Sequence, residues 1–339
     1  MNCCAKCFGD RHLTRNVIPN RSEEVGDCAY CGSKDTAILP PAKLAEYFEL
    51  LIGAYQLDQD GELLVWWLRE DWGIFDNPIM DSAHSKELLS EILNDGEIVH
   101  QAFSPVSNIR ADRLSEWDDL REELMYRNRF FPESTIDLDR LKSLLAYIKI
   151  DLGEIQETWY RARIQGGDIP FDLLMMGAPP KRIASHGRAN PAGIPYLYLG
   201  SKFQTAISEV RPHTGEVVCI ADFAIPPDLK LVDLRNPKKT VSPFLLADAG
   251  EIVSMRNDLP FLEQLGEELT RPVIPRSAAI DYTPSQYLCE FIKKCGYDGV
   301  VYRSSVSDGI NLALFEPSRS ARNIFQHRVK SIAVETTVL

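Results

Sequence analysis

The sequence predicts an α+β fold in three successive parts: a cysteine-knuckle segment, a helical domain, and a domain built around a mixed β-sheet. Three observations predict it. Two Cys-x-x-Cys pairs stand within the first 31 residues. From 42 to 150 the apolar residues recur at the spacing of amphipathic helices. After Gly153 they fall into short alternating or continuous runs mixed with helical ones, the pattern of strands connected by helices. We bound the parts at 1–40, 41–150 and 157–325.

Cys4-Ala5-Lys6-Cys7 and Cys28-Ala29-Tyr30-Cys31 have 20 residues between them. Two such pairs can supply four thiolates to a tetrahedral metal, so Cys4, Cys7, Cys28 and Cys31 are the expected ligands of a structural Zn2+. Cys3 is an alternative to Cys4, and His12 a weaker substitute. Gly32 allows the tight turn that follows such a knuckle. A closed four-thiolate site has no open coordination position, so its role is folding or docking, not catalysis. Five of the eight cysteines lie here, and in a reducing cytosol that clustering favours metal over disulfides. Cys219, Cys289 and Cys295 have apolar neighbours and read as small buried hydrophobes.

Pro40-Pro41 closes the first part. Helical spacing then links Leu44, Tyr47, Phe48, Leu51, Ile52 and Tyr55. Further apolar groups are Leu63, Leu64, Trp66, Trp67 and Trp72, then Leu88, Leu89, Ile92 and Leu93. Leu114, Trp117, Leu120 and Leu124 follow, and Leu138, Leu141, Leu144, Leu145 and Ile148 end the series. Asn77-Pro78, Asn94-Asp95-Gly96 and Phe131-Pro132 punctuate them as turns. The three tryptophans read as core. No histidine follows Arg121–Arg129 at the spacing a HEPN-type ribonuclease needs, and without one there is no obvious proton carrier near neutral pH. The helical part therefore reads as a regulatory or interaction module.

In the third part, strands are predicted over 158–164, 196–200, 217–224, 230–234, 299–303 and 311–315, with a short helix over 204–210. Residues 244–269 carry one or two helices, interrupted near Asp258-Leu259-Pro260. Residues 284–295 form a clear helix, with proline early and Gly296 just past its end. Ser285 reads as part of that helix start.

The chemistry gathers in this part. Arg161 lies inside a strand pattern beside Trp159 and Tyr160, and Arg188 in the flexible run Gly187-Arg188-Ala189-Asn190-Pro191. Guanidinium forks suit pyrophosphate or ribose hydroxyls, and Arg163, two residues from Arg161, is a spare candidate. Tyr198 could stack on a planar base or fill the core. Glu209, on the short helix, could stabilise the oxocarbenium-like ribosyl centre left when a nicotinamide–ribose bond breaks. The competing reading of Glu209 is a solvent-facing carboxylate paired with Arg211 or Lys202. A serine at the end of the 299–303 strand, Ser304 or Ser305, could bind a ribose hydroxyl or orient the carboxylate. There is no Gly-x-Gly-x-x-Gly after a strand and no phosphate-binding loop motif, so NAD+ is expected as a consumed substrate and not as a redox cofactor.

Composition sets the outer limits. The net charge of −12 argues against broad capture of nucleic acid and fits a basic protein partner. No apolar run approaches the roughly 20 residues of a membrane span, and no signal-peptide stretch opens the chain, so a cytoplasmic location and no membrane partner are expected.

Trp159-Tyr160-Arg161, Gly187-Arg188-Ala189-Asn190, Leu197-Tyr198, Ala206-Ile207-Ser208-Glu209-Val210, and Tyr302-Arg303-Ser304-Ser305 followed by Asn311 together resemble the RES domain family. The likeness spans about 157–317, and the part before it looks like the HEPN/RES N-terminal domain. The resemblance implies an ADP-ribosyltransferase-like mixed sheet and a toxin that destroys NAD+. It implies Glu209, Arg161, Tyr198 and Ser304 as catalytic residues, with Arg188, Asn190, Ser305 and Asn311 binding substrate. Spacing to Asn311 favours Ser304 over Ser305 as the family serine. Many family members have a tryptophan where this chain has Ala189. The expected activity is NAD+ glycohydrolysis or phosphorolysis. Two other readings stand beside it: ADP-ribosyl transfer to a protein, and an inactive partner- or nucleic-acid-binding module. A toxin that empties NAD+ needs a neutralising antitoxin or similar protein, and a homo-oligomer is compatible with the sequence.

Overall fold

The structure is a computed structural model that describes residues 1–106, 117–151, 153–316 and 318–333; Leu114 lies outside them. Its contacts divide the chain into two units, Met1–Ser115 with Asn236–Leu262, and Glu116–Arg235 with Glu263–Leu339.

The first unit opens with strands β1 (Cys3–Cys4), β2 (Glu24–Gly26) and β3 (Thr36–Leu39), an antiparallel sheet in the order β1-β3-β2, with α1 (Ile18–Arg21) between the first two. Then come α2 (Ala45–Ile52), β4 (Tyr55–Leu63), α3 (Leu64–Trp72), α4 (Ser82–Leu93) and β5 (Ala102–Pro105). The helices obey their local signals. Asp81 accepts the His84 amide at 2.9 Å and caps α4, and Gly73 ends α3 in the left-handed region. The segment is not helical throughout. β4 pairs with β5 across a bulge, and β4 is mostly polar, so helical spacing of apolar residues could not reveal it. Phe8, Phe48 and Phe75 are fully buried and meet as a ring cluster. Of the three tryptophans read as core, Trp72 is buried, Trp67 donates from its indole to the Phe103 carbonyl, and Trp66 is exposed.

The chain enters the second unit through α5 (Trp117–Tyr126) and α6 (Leu138–Tyr147). There follow β6 (Thr158–Ile164), β7 (Leu197–Gly200), α7 (Phe203–Glu209), β8 (Val217–Ala224) and β9 (Leu231–Asp233). α8 (Pro237–Thr240) lies in the first unit, and α9 (Ala249–Thr270) carries the chain back to the second. α9 is one continuous helix of 22 residues with Pro260 inside it, where the sequence suggested an interruption. Proline in a helix interior costs about 3 kcal/mol. Met255, Leu259, Leu262, Leu265 and Leu269 continue the helical period through it and are buried, at roughly 1.5–3 kcal/mol per large apolar side chain. α10 (Ala278–Asp281), α11 (Thr283–Lys294), β10 (Gly299–Arg303), β11 (Ile310–Leu314) and β12 (Asn323–Arg328) complete the unit.

Seven strands form one mixed sheet in the order β12-β8-β6-β7-β11-β10-β9, antiparallel except for the β10–β9 pair. One face packs a core of Trp159, Leu197, Leu199, Phe223, Val301, Leu312 and Leu314. Ala162, Val218 and Ile220 pack with Ala206 of α7 in a smaller cluster. The sheet has a seam. β6 and β7 pair only at Tyr160 and Gly200, so Arg161 and Leu199, and after them Ala162 and Tyr198, which would oppose each other next, are not ladder partners. Gly200 is required there, because a Cβ would come within 2.8 Å of the Ala206 backbone nitrogen on α7. Among the described residues, no helix is long and apolar enough to cross a membrane.

Candidate functional site

In the first unit the Sγ atoms of Cys4, Cys7, Cys28 and Cys31 lie within 4.8 Å of one another, and all four residues are buried. Cys4 and Cys31 are 3.4 Å apart, as are Cys7 and Cys28. Thiolates around one tetrahedral metal, at bonds of about 2.3 Å, stand about 3.8 Å apart. The cluster could therefore hold a metal ion. Cys3 is adjacent but turned away, its Sγ 3.6 Å from the Leu39 carbonyl oxygen, as alternation along β1 requires. The His12 ring contacts Asn16 instead of the cluster. Gly9 and Gly32 follow the two pairs with φ of +73° and +69°, the left-handed backbone of such turns.

In the second unit a cavity of about 480 Å³ opens at the seam between β6 and β7. Glu209 is the last residue of α7 and lies exposed at its wall. Its Oε1 accepts from the Ser304 hydroxyl at 2.7 Å and from Asn311 Nδ2 at 2.6 Å. A carboxylate at a helix C-terminus faces the negative end of the helix dipole, and these two donors offset that. Neither Arg211 nor Lys202 takes the carboxylate; Lys202 pairs with Asp308. Ser304 and Asn311 are buried, and Tyr302 pairs with Asn311 across the β10–β11 ladder. Strand register, not chain proximity, delivers the donors.

Arg161 projects into the seam. Its Nη1 donates to the Tyr198 carbonyl at 3.3 Å, and its enclosed Nε has no hydrogen-bond partner among the described residues. Burial, aided by the charge of Arg163, pushes the guanidinium down to about 10. Arg163 itself turns away from the cavity, lying over the Phe171 ring at 4.2 Å. Arg188 donates from Nη1 to the Arg271 carbonyl at 2.8 Å and from Nη2 to the Ser305 hydroxyl at 3.3 Å, and lies over Tyr282 at 5.1 Å. The loop carrying it is pinned by α11, where Ser285 donates to the Arg188 carbonyl at 2.6 Å and Gln286 to the Gly187 carbonyl at 2.8 Å.

Tyr198 lines the cavity, but its hydroxyl is spent on the loop: it donates to Asn190 Oδ1 at 2.7 Å and accepts the Ala189 amide at 2.9 Å. Burial raises this phenol and keeps it protonated. Asn190 is 3 % exposed, and its Nδ2 serves the carbonyls of Ser185, Pro191 and Ile194, so it shapes the loop and does not line the cavity. Ser304 holds the carboxylate, while Ser305 lines the cavity. Among the lining residues to which the sequence assigned no site role are His186, Arg211, Tyr282 and Tyr302. Tyr302 had one readable signal, its alternation with Val301 along β10, which sends it to the face opposite the core.

A model of the family described as the RES domain matches residues 158–331, just over half of the chain. A chain from the crystal structure of the M. tuberculosis MbcT-MbcA toxin-antitoxin complex is similar at 16 % identity, covering 56 % of this chain and 92 % of its own, with a TM-score of 0.32. No curated protein matches the chain. The family match contains the whole seven-stranded sheet from β6 to β12, and with it Arg161, Arg188, Tyr198, Glu209, Ser304 and Asn311. By that match, the chain belongs to the RES domain family.

Proposed function

We propose that the second unit cleaves the nicotinamide–ribose bond of NAD+ and that the protein acts as an NAD+-depleting toxin. The observation that carries this is the carboxylate of Glu209, fixed through Oε1 by Ser304 and Asn311, in a cavity that also receives Arg161 and Arg188. NAD+ has a pyrophosphate, two ribose units and a cationic leaving group. The arginines suit the pyrophosphate. The carboxylate suits the positive charge that spreads over the ribose as nicotinamide departs, and it is already oriented before that charge forms. The unpartnered Nε of Arg161 is a donor waiting for an acceptor from the ligand. Neutral nicotinamide leaves, and water or phosphate takes the ribosyl carbon. We read the seamed sheet as ADP-ribosyltransferase-like.

Purified protein incubated with NAD+, with and without phosphate, tests this directly. Free nicotinamide is the expected product, and ADP-ribose or its 1-phosphate identifies the acceptor. A folded protein that releases no nicotinamide in either condition overturns the reading.

For the first unit we propose a structural Zn2+ held by Cys4, Cys7, Cys28 and Cys31, bracing the first strands. The segment ahead of the RES domain is on this view an accessory HEPN/RES-type module. Because such an activity would harm its own host, a neutralising protein partner is part of the proposal.

A further inference from the structure

Outside the cavity, the second unit buries one carboxylate between two arginines. Glu268, near the end of α9, is 7 % exposed. Its Oε1 accepts from Arg121 Nε of α5 at 2.6 Å. Its Oε2 lies 3.3 Å from Arg271 Nε, an ion-pair contact without hydrogen-bond alignment. Arg271 is tied a second time, donating from Nη2 to the Asp281 carbonyl at 2.8 Å. The backbone carbonyl of that same Arg271 receives Nη1 of Arg188. A continuous path thus runs from α5 through Glu268 and Arg271 to the cavity arginine.

A buried carboxylate needs partners, since an unpaired one is strongly disfavoured. The sharing here has a geometric result. Arg271 follows directly on α9, where the helix no longer dictates backbone direction, and its carbonyl must point at Arg188. Holding the Arg271 side chain at both Glu268 and Asp281, with its amide on the Glu267 carbonyl, restricts the backbone that carries that carbonyl. α5 is itself firmly seated: Trp117, Leu120 and Leu124 are buried, and Asp118 accepts from Gln264 at 2.8 Å. Yet α5 precedes the RES match, which starts at residue 158.

We propose that Arg121 and Glu268 are positioning residues for Arg188, so that α5, outside the RES domain proper, sets the substrate affinity of the site. The inference rests on Arg188 facing ligand as proposed above.

The test compares wild type with Arg121→Met, Glu268→Gln and the control Arg127→Met, whose arginine is exposed and pairs only with Glu122 among the described residues. Two readouts are taken after thermal melting shows each protein folded. The first is the modification rate of Arg188 by phenylglyoxal, read by peptide mass spectrometry, which needs no substrate. The expected result is labelling several-fold faster in Arg121→Met than in wild type or the control. The second is NAD+ cleavage, where KM rises about tenfold and kcat stays within about twofold. Tenfold corresponds to about 1.4 kcal/mol. If Glu268→Gln fails to fold, Arg121→Met alone decides, since its arginine is the outer member of the path. Unchanged Arg188 labelling in Arg121→Met overturns the proposal whether or not NAD+ is cleaved. Faster Arg188 labelling in Arg121→Met together with no nicotinamide release by wild type overturns the functional reading and leaves the positioning role supported.

Discussion

Glu209 concentrates the chemistry in one side chain, and its surroundings set what a substitution does. Glu209→Gln keeps the shape and removes the charge that would face the developing ribosyl cation, so kcat is expected to fall about 10²–10³-fold, with KM little changed. Nicotinamide release at saturating NAD+ measures it. Ser304→Ala and Asn311→Ala each remove one donor to the same oxygen, and a charge-assisted hydrogen bond is worth about 1.5–3 kcal/mol. Each is expected to slow turnover about 10- to 100-fold. Arg161 makes a pH prediction. Burial lowers its guanidinium from 12.5 to about 10, so the charge is intact at neutral pH and is lost as pH rises through about 10. KM for NAD+ should therefore climb above about pH 9, well below the range where an exposed arginine would respond. A KM flat to pH 10.5 in folded protein would contradict this.

The loop from His186 to Asn190 is the element where local geometry matters most. A Cβ on Gly187 would stand 2.5 Å from Asn190 Oδ1 and 2.6 Å from the Tyr198 hydroxyl. Gly187→Ala must therefore break the bond that closes the loop, at a cost of about 1–3 kcal/mol. Lower thermal stability together with a raised KM is the expected outcome. The strands that build the site were largely legible: β6, β8 and β10 have the bounds that alternation predicted, because their apolar residues face a core. β12 was not, since five of its six residues are exposed at the sheet edge and nothing in its pattern demands burial. Arg161 stood out in the sequence because a charge inside a strand pattern is unusual, whereas Arg188 and Glu209 were singled out for what a guanidinium in a flexible run and a carboxylate on a short helix could do chemically. The reason Asn190 serves the loop was hidden, because it depends on a tyrosine eight residues away folding back onto it. The turning of Arg163 to Phe171 was equally invisible, since alternation alone puts it beside Arg161.

At the scale of the molecule, the two units make separate predictions. Elemental analysis is expected to find one zinc per chain, lost in Cys28→Ser. Structural zinc sites bind with an apparent free energy of about 10–16 kcal/mol, so chelation should abolish the unfolding transition of the first unit. Protein that melts identically with and without chelator would count against a structural metal. In the second unit, the seam has a mechanical consequence. The sheet has two halves, β12-β8-β6 and β7-β11-β10-β9, whose ladder meets at one pair, Tyr160 and Gly200, with the Arg161 guanidinium on the Tyr198 carbonyl beside it, while the core of Trp159, Leu197 and Leu199 packs across the joint. One half contributes Arg161 to the cavity, and the other contributes Tyr198, Tyr302 and Asn311. A ligand that touches both acts as a clamp across the joint. Hydrogen exchange should then slow along β6 and β7 together on binding, while the outer strands β12 and β9 keep their rates.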